Sequence, residues 1–158
     1  MKNVLIISAS LRKDSNSDLL AQQFARGARE AGHQVEILSL RGKDIRFCTG
    51  CMACLEGPVC AQRDDANAIV EKMGRADVIC FATPVYYYEM AGQMKTLLDR
   101  ANPLFSADYA FQDIYLLTAS AEEADSPMPR RTLLLSQGTA EQVYLAVRLA
   151  VCRLALPK

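Results

Sequence analysis

The sequence predicts an α/β protein built on a parallel sheet with helices packed on both faces. Three observations carry that expectation. Short apolar runs recur at Val4–Ala9, Val35–Leu40, Val78–Thr83 and Ile114–Thr118, each of strand length. The first, Val4–Ala9, is apolar enough to be buried on both sides, as a strand of a covered parallel sheet is. Segments with helical spacing alternate with these runs, and that alternation is the pattern of successive parallel crossovers.

The elements follow in chain order. Val4–Ala9 is the first strand. Ser15–Gly32 reads as a helix with Leu20, Phe24, Ala28 and Ala31 on one side, capped by Ser15 or Ser17 and ended by Gly32. Val35–Leu40 is the second strand, followed by a polar loop that carries cysteines. A helix over 64–75 starts at Asp64 or Asp65, and Val78–Thr83 is a third strand stopped by Pro84. A helix over 92–101 turns Met94, Leu97 and Leu98 toward a core and breaks at Asn102-Pro103. Ile114–Thr118 is the fourth strand.

Composition excludes several function classes. A chain of 158 residues is long enough for one domain with a sizeable core. The 18 basic and 18 acidic side chains leave no net charge, so nothing draws it to nucleic acid or an anionic membrane surface. No apolar segment approaches bilayer length, and Val4–Ile7 is too short for a signal-peptide core. The six cysteines are therefore expected in a reducing, cytoplasmic setting, where a dense cluster points to metal or redox chemistry before structural disulfides.

In such a sheet ligands bind beyond the carboxyl ends of the strands, where strand order reverses. After the first strand, SASLRKDSNSD (residues 8–18) lacks both GxxxxGK[ST] and GxGxxG, against a nucleoside-triphosphate loop or a dinucleotide site. It does place Ser8, Ser10, Ser15, Asn16 and Ser17, with Arg12 and Lys13, at a helix N-terminus. There hydroxyls, free N–H groups and the helix dipole suit a phosphate dianion; a solvated turn with a serine cap fits the same residues. After the third strand, TPVYYYEMAGQMKTLLDR (83–100) puts apolar and aromatic surface at the same edge. That is contact for a flat ring, or else tyrosines packed under a loop.

SASLRKDSNS, TPVYYYEMAGQMKTLLDR and LLTAS together resemble the NAD(P)H-dependent FMN reductases and iron–sulfur flavoproteins of the flavodoxin-like superfamily, over residues 1 to about 126. The resemblance implies a flavodoxin-like doubly wound sheet of order 2-1-3-4-5 with FMN at the switch point. It implies that Ser10, Arg12, Ser15, Asn16 and Ser17 hold the FMN phosphate, and that Pro84, Val85, Tyr86 and Tyr87 line the isoalloxazine. Thr118 and Ala119 would border its other side. It implies NAD(P)H as co-substrate, a small-molecule electron acceptor such as a flavin or quinone, and a homo-oligomer. Since the flavin carries the chemistry, no side chain is assigned a catalytic role. Arg100 is expected as an ion-pairing residue, and the sole histidine, His33, as a surface residue at a helix end.

CTGCMACLEGPVC (48–60) spaces Cys48, Cys51, Cys54 and Cys60 as C-x2-C-x2-C-x5-C. Compact runs of this kind can wrap a [4Fe–4S] cluster, and the spacing matches the iron–sulfur flavoproteins that the chain resembles. Zinc more often takes two separated C-x2-C pairs. A redox C-x-x-C pair lacks its usual surroundings. The reading favoured by the neighbouring segments is four thiols beside a flavin, with the cluster as the alternative. Cys80 and Cys152 are expected to be packing residues.

Residues 127–158 depart from the resemblance. Residues 1–126 hold 13 basic and 17 acidic side chains, whereas 127–158 hold 5 basic and 1 acidic. Pro127 and Pro129 break any helix there, and Gly138–Leu154 then reads as a helix with Val143, Val147 and Val151 in a stripe. The expectation is a flavodoxin-like domain over 1–126 followed by an atypical tail. By this reading the tail arose by frameshift or truncation and leaves the fifth, edge strand missing, or it is a genuine variant covering that edge. A truncated, non-enzymatic domain is the remaining alternative.

Overall fold

The computed structural model describes residues 1–120 and 148–150. In order they form β1 (Asn3–Ser8), α1 (Asn16–Glu30), β2 (Gln34–Ser39), α2 (Asp65–Arg75), β3 (Val78–Tyr86), β4 (Glu89–Met90), α3 (Gly92–Arg100), β5 (Asp113–Ala119) and β6 (Arg148–Ala150). The main sheet has order β2-β1-β3-β5-β6, all parallel, with β4 folded back antiparallel onto the end of β3. Leaving out that short hairpin strand, this is the expected 2-1-3-4-5 order.

Side chains alternate between the two faces and build two cores. Val4, Ile6, Val78, Cys80, Ala82 and Leu117 meet Ala21 and Ala25 of α1. Leu5, Ile7, Ile79, Phe81 and Leu116 meet Ile69, Val70 and Met73 of α2 and Met94 and Leu97 of α3. β1 and β3 are covered on both faces and so run apolar without polar alternation, whereas β2 at the sheet's edge is exposed or half-buried throughout and carries Glu36. On α1 the stripe is rotated from the expected one. Ala21 and Ala25 are fully buried, while Leu20, Phe24 and Ala28 pack at its margin. Small residues let the helix approach the sheet closely at its centre.

The caps fall where expected. Ser15 Oγ accepts from the Asp18 N–H at 3.1 Å, and Asp64 Oδ1 accepts from the Ala66 N–H at 3.0 Å. Gly32, at φ +82°, ends α1 in a conformation that side chains resist. His33 Nδ1 accepts from the Lys2 backbone N–H at 3.3 Å beside that end.

Two expectations are corrected. Pro84 does not stop β3, which runs on to Tyr86. The β1 ladder ends at the Ser8–Ala82 pair, so by residue 84 that side has no donor to lose, and β5 still pairs with Pro84 through Ala119. Arg148–Ala150, within the expected helix over 138–154, is strand: it pairs in parallel with Tyr115, Leu116 and Leu117. The edge position beyond β5 is therefore taken by a strand. The rest of that expected helix, the Pro127 and Pro129 break, and Cys152 lie outside the described residues.

Candidate functional site

β1 and β3 are neighbours although β2 lies between them in sequence, so strand order reverses between them. The chain leaves β1 toward β2 on one side and returns to β3 on the other, which opens a crevice at their carboxyl ends. Three of the segments read from sequence meet there. Ser8 pairs with Ala82, the Ala9 N–H donates to the Ala82 carbonyl at 2.9 Å, Thr83 pairs with Thr118, and Pro84 pairs with Ala119. Ser10, Ser15, Ser17, Thr83 and Thr118 are all buried at this edge.

The first-strand loop is held from inside. Ser8 Oγ donates to Asp18 Oδ1 at 2.5 Å, and Ser10 Oγ to the Arg12 carbonyl at 3.3 Å. Asp14 takes a left-handed conformation at φ +53° to turn the chain into α1. Arg12 stays exposed and Asn16 half-buried. Ser17 Oγ is the one buried side-chain polar atom among the described residues with no hydrogen-bond partner. A buried hydroxyl without a partner is costly, so one at a helix N-terminus signals a missing acceptor. A phosphate supplies such an acceptor, and the helix end favours its charge. The residues present thus fit an FMN phosphate.

The ring segment is a tight hairpin. Val85 pairs with Met90 and Tyr86 with Glu89, which leaves Tyr87 and Tyr88 as the two turn residues, both at positive φ (45° and 69°). Such turns match strand twist but normally use Asn or Gly, so two tyrosines there hold backbone strain at a ligand edge. Thr83 Oγ1 locks the base of the hairpin by accepting from the Ala91 N–H and donating to the Pro84 carbonyl, both at 3.0 Å. Pro84 is buried and Val85 half-buried, whereas Tyr86 and Tyr87 are exposed at 57% and 95%.

The cysteine loop joins the carboxyl end of β2 to the start of α2, and its sulfurs lie against the end of α3. Three of the four sulfurs accept from an N–H donor. Gly50 donates to Cys48 Sγ at 3.5 Å, Asn102 Nδ2 to Cys54 Sγ at 2.9 Å, and Arg100 Nε to Cys60 Sγ at 3.3 Å. The Ala53 N–H, and then the Thr49 side chain, lower the Cys51 thiol below its ordinary range. Donors to sulfur of this kind are what orient a metal or cluster ligand. The four sulfurs line one cavity of about 40 Å³. Yet among the described residues no three His, Cys, Asp or Glu side chains stand close enough to hold a metal ion. A bound group would have to draw the thiols together. Cys80, by contrast, is buried in β3, and burial pushes its thiol up to about 12, leaving it inert as a packing residue.

Sequence reading missed what anchors this loop. Arg100 forms the expected ion pair, and its partner is Asp64, with both side chains fully buried. Burial works to raise the Asp64 carboxyl, but hydrogen bonds from Arg100, Arg46 N–H and Ala66 N–H together outweigh it and hold the carboxyl below its ordinary value of 3.8. Stability from this pair is thus fully present above about pH 4 and is lost as pH falls through the lowered folded pKa. Hydrogen exchange over residues 46–64 should stay protected down to about pH 4 and rise only below it. Opening already between about pH 7 and 5 would assign the loop's order to other groups.

A larger hollow of about 420 Å³ opens at the opposite edge of the sheet, beside Asn3, Gln34, Glu36, Lys72 and Arg75. Lys72 pairs with Glu36 and Arg75 with Glu71, and these polar groups are all exposed, so it offers no comparable chemistry. No described helix is long and apolar enough to cross a membrane.

Comparison with known proteins agrees with this geometry. The chain is 36% identical over 110 residues to an iron–sulfur flavoprotein of Archaeoglobus fulgidus, a match covering 70% of this chain and 54% of that protein. It is 38% identical over 101 residues to an iron–sulfur flavoprotein of Methanocaldococcus jannaschii, covering 64% and 52%. The chain spans about half the length of these curated relatives. In fold it resembles an NAD(P)H:quinone oxidoreductase from Methanothermobacter marburgensis, with TM-score 0.79 at 18% identity, over 95% of this chain and 82% of that one. The family model described as NADPH-dependent FMN reductase matches residues 2–129, and the chain belongs to that family.

Proposed function

We propose that this chain is an FMN-dependent oxidoreductase that takes electrons from reduced nicotinamide and passes them to a small acceptor such as a flavin or quinone. The observation that carries the reading is the partnerless Ser17 hydroxyl, buried in the first turn of α1 at the sheet's switch point. Ser10, Ser15, Asn16 and Ser17 would hold the phosphate, with Arg12 above it as a solvent-facing cation. Pro84, Val85, Tyr86 and Tyr87 would flank one side of the isoalloxazine, and Thr118 and Ala119 the other. The chemistry supplied by FMN when bound is hydride acceptance from nicotinamide and electron delivery onward. The chain's own work is to bind, orient and desolvate the ring, and no side chain need move a proton. The exposed hairpin tyrosines leave room for a second subunit to complete the pocket, consistent with a homo-oligomer.

A second reading, an electron-transfer flavoprotein with a [4Fe–4S] cluster on Cys48, Cys51, Cys54 and Cys60, is favoured by the N–H donors at the sulfurs of Cys48, Cys54 and Cys60. Anaerobic purification, an absorbance spectrum and iron and zinc analysis separate the two. The expected result is a yellow protein, or one that takes up added FMN, oxidising NADH or NADPH when a quinone is supplied. A colourless protein that ignores added FMN would defeat the flavin reading.

A further inference from the structure

The guanidinium of Arg100 has five N–H groups, and all five are used. Nη1 donates to the Arg46 carbonyl at 2.8 Å and to Asp64 Oδ2 at 2.6 Å. Nη2 donates to the Gln62 carbonyl and to Asp64 Oδ1, both at 3.0 Å. Nε donates to Cys60 Sγ. Arg46 precedes the first loop cysteine and Gln62 follows the last, so one fork from α3 ties together both ends of the segment that carries them. Closing a long irregular segment costs chain entropy, and this buried side chain offsets it at one point. Two positions on, Asn102 reaches Cys54 Sγ from a 3-10 turn over Asn102–Phe105, whose backbone is fixed by the buried Pro103. The loop adds a tie of its own, Gln62 Nε2 to the Phe47 carbonyl at 2.9 Å, and a single 3-10 turn over Ala53–Leu55, while Cys48 and Cys51 stay exposed.

We propose that Arg100 and Asn102 are the positioning residues of the four-cysteine loop, fixing the sulfurs of Cys60 and Cys54 from the end of α3. Whatever thiophilic group the loop takes is then held through these two donors. That consequence rests on the second reading above, whereas the ordering of the loop does not. Lysine cannot replace Arg100, because a single ammonium cannot span two carbonyls, a carboxylate and a sulfur. Donors to ligand sulfurs govern both metal affinity and the potential of a bound cluster.

The test compares the full chain with Arg100→Lys and Asn102→Leu after anaerobic reconstitution with ferrous iron and sulfide. Iron loss to a chelator should be roughly 10- to 100-fold faster in both variants. The midpoint potential should fall, since each change removes a donor to sulfur. FMN affinity should stay within about twofold, since neither side chain donates to a residue of the ring or phosphate segments. Amide exchange over residues 47–61 should speed up in Arg100→Lys, and around Cys54 in Asn102→Leu. Wild-type rates, potentials and protection in both variants would overturn the proposal. If the wild type takes up no iron and sulfide, the cluster reading fails alone and amide exchange decides, with unchanged protection overturning the positioning role. Asn102 is exposed, so Asn102→Leu carries the test if Arg100→Lys does not fold.

Discussion

Asp64→Ala should lower the free energy of unfolding by about 3–5 kcal/mol, because it strands the fully buried Arg100 without its counter-charge. The same substitution removes the cap of α2, worth about 1 kcal/mol of that loss. Four N–H groups converge on this carboxylate, two from Arg100 and one each from the Arg46 and Ala66 backbones, so the cost spreads from the cysteine segment into the helix. Urea unfolding checks the effect through a lower midpoint at unchanged slope. The double variant Asp64→Ala with Arg100→Met should recover part of the loss, since no buried charge is then left unpaired. A single-variant loss below about 1 kcal/mol would show that the pair is wetter in solution than its burial indicates.

Ser17→Ala should separate binding from folding. Its hydroxyl has no partner in the ligand-free chain, so removal should leave the fold as stable or more stable, by up to about 1–3 kcal/mol. If the hydroxyl donates to the FMN phosphate, its loss should weaken FMN roughly 10- to 100-fold, as for a hydrogen bond to a charged group. FMN titration and thermal unfolding with and without FMN read both quantities. Ser15→Ala is the contrast: that hydroxyl caps α1, so its loss should destabilise the apoprotein by about 1 kcal/mol as well. A Ser17→Ala protein that is destabilised yet binds FMN normally would remove Ser17 from the phosphate site and the main support for the proposed function.

Much of the fold was legible because its signals are local. The apolar runs of four strands, the Ser15 and Asp64 caps and the Gly32 stop fall within a residue or two of their expected places. The Pro84 error arose from reading proline as a strand breaker without knowing where the neighbouring strand ends. Arg148–Ala150 falls between Val147 and Val151 of the helical stripe, yet it pairs with the free edge of β5, and such pairing overrides a local periodicity.

For the site, the sequence by itself determined which segments reach the ligand edge, since strand ends and the chemistry of their loops are both written locally. It also determined that four thiols share one short loop. Only the tertiary structure decided that those thiols lean on the end of α3, where Arg100 and Asn102 reach Cys60 and Cys54. Only it showed that Arg100 pairs with Asp64 and that Ser17 is buried without a partner. The physical reason is range. A cap or a strand is fixed by residues a few positions apart. A buried ion pair joins residues 36 positions apart, and only the packing of α2 against α3 brings them together.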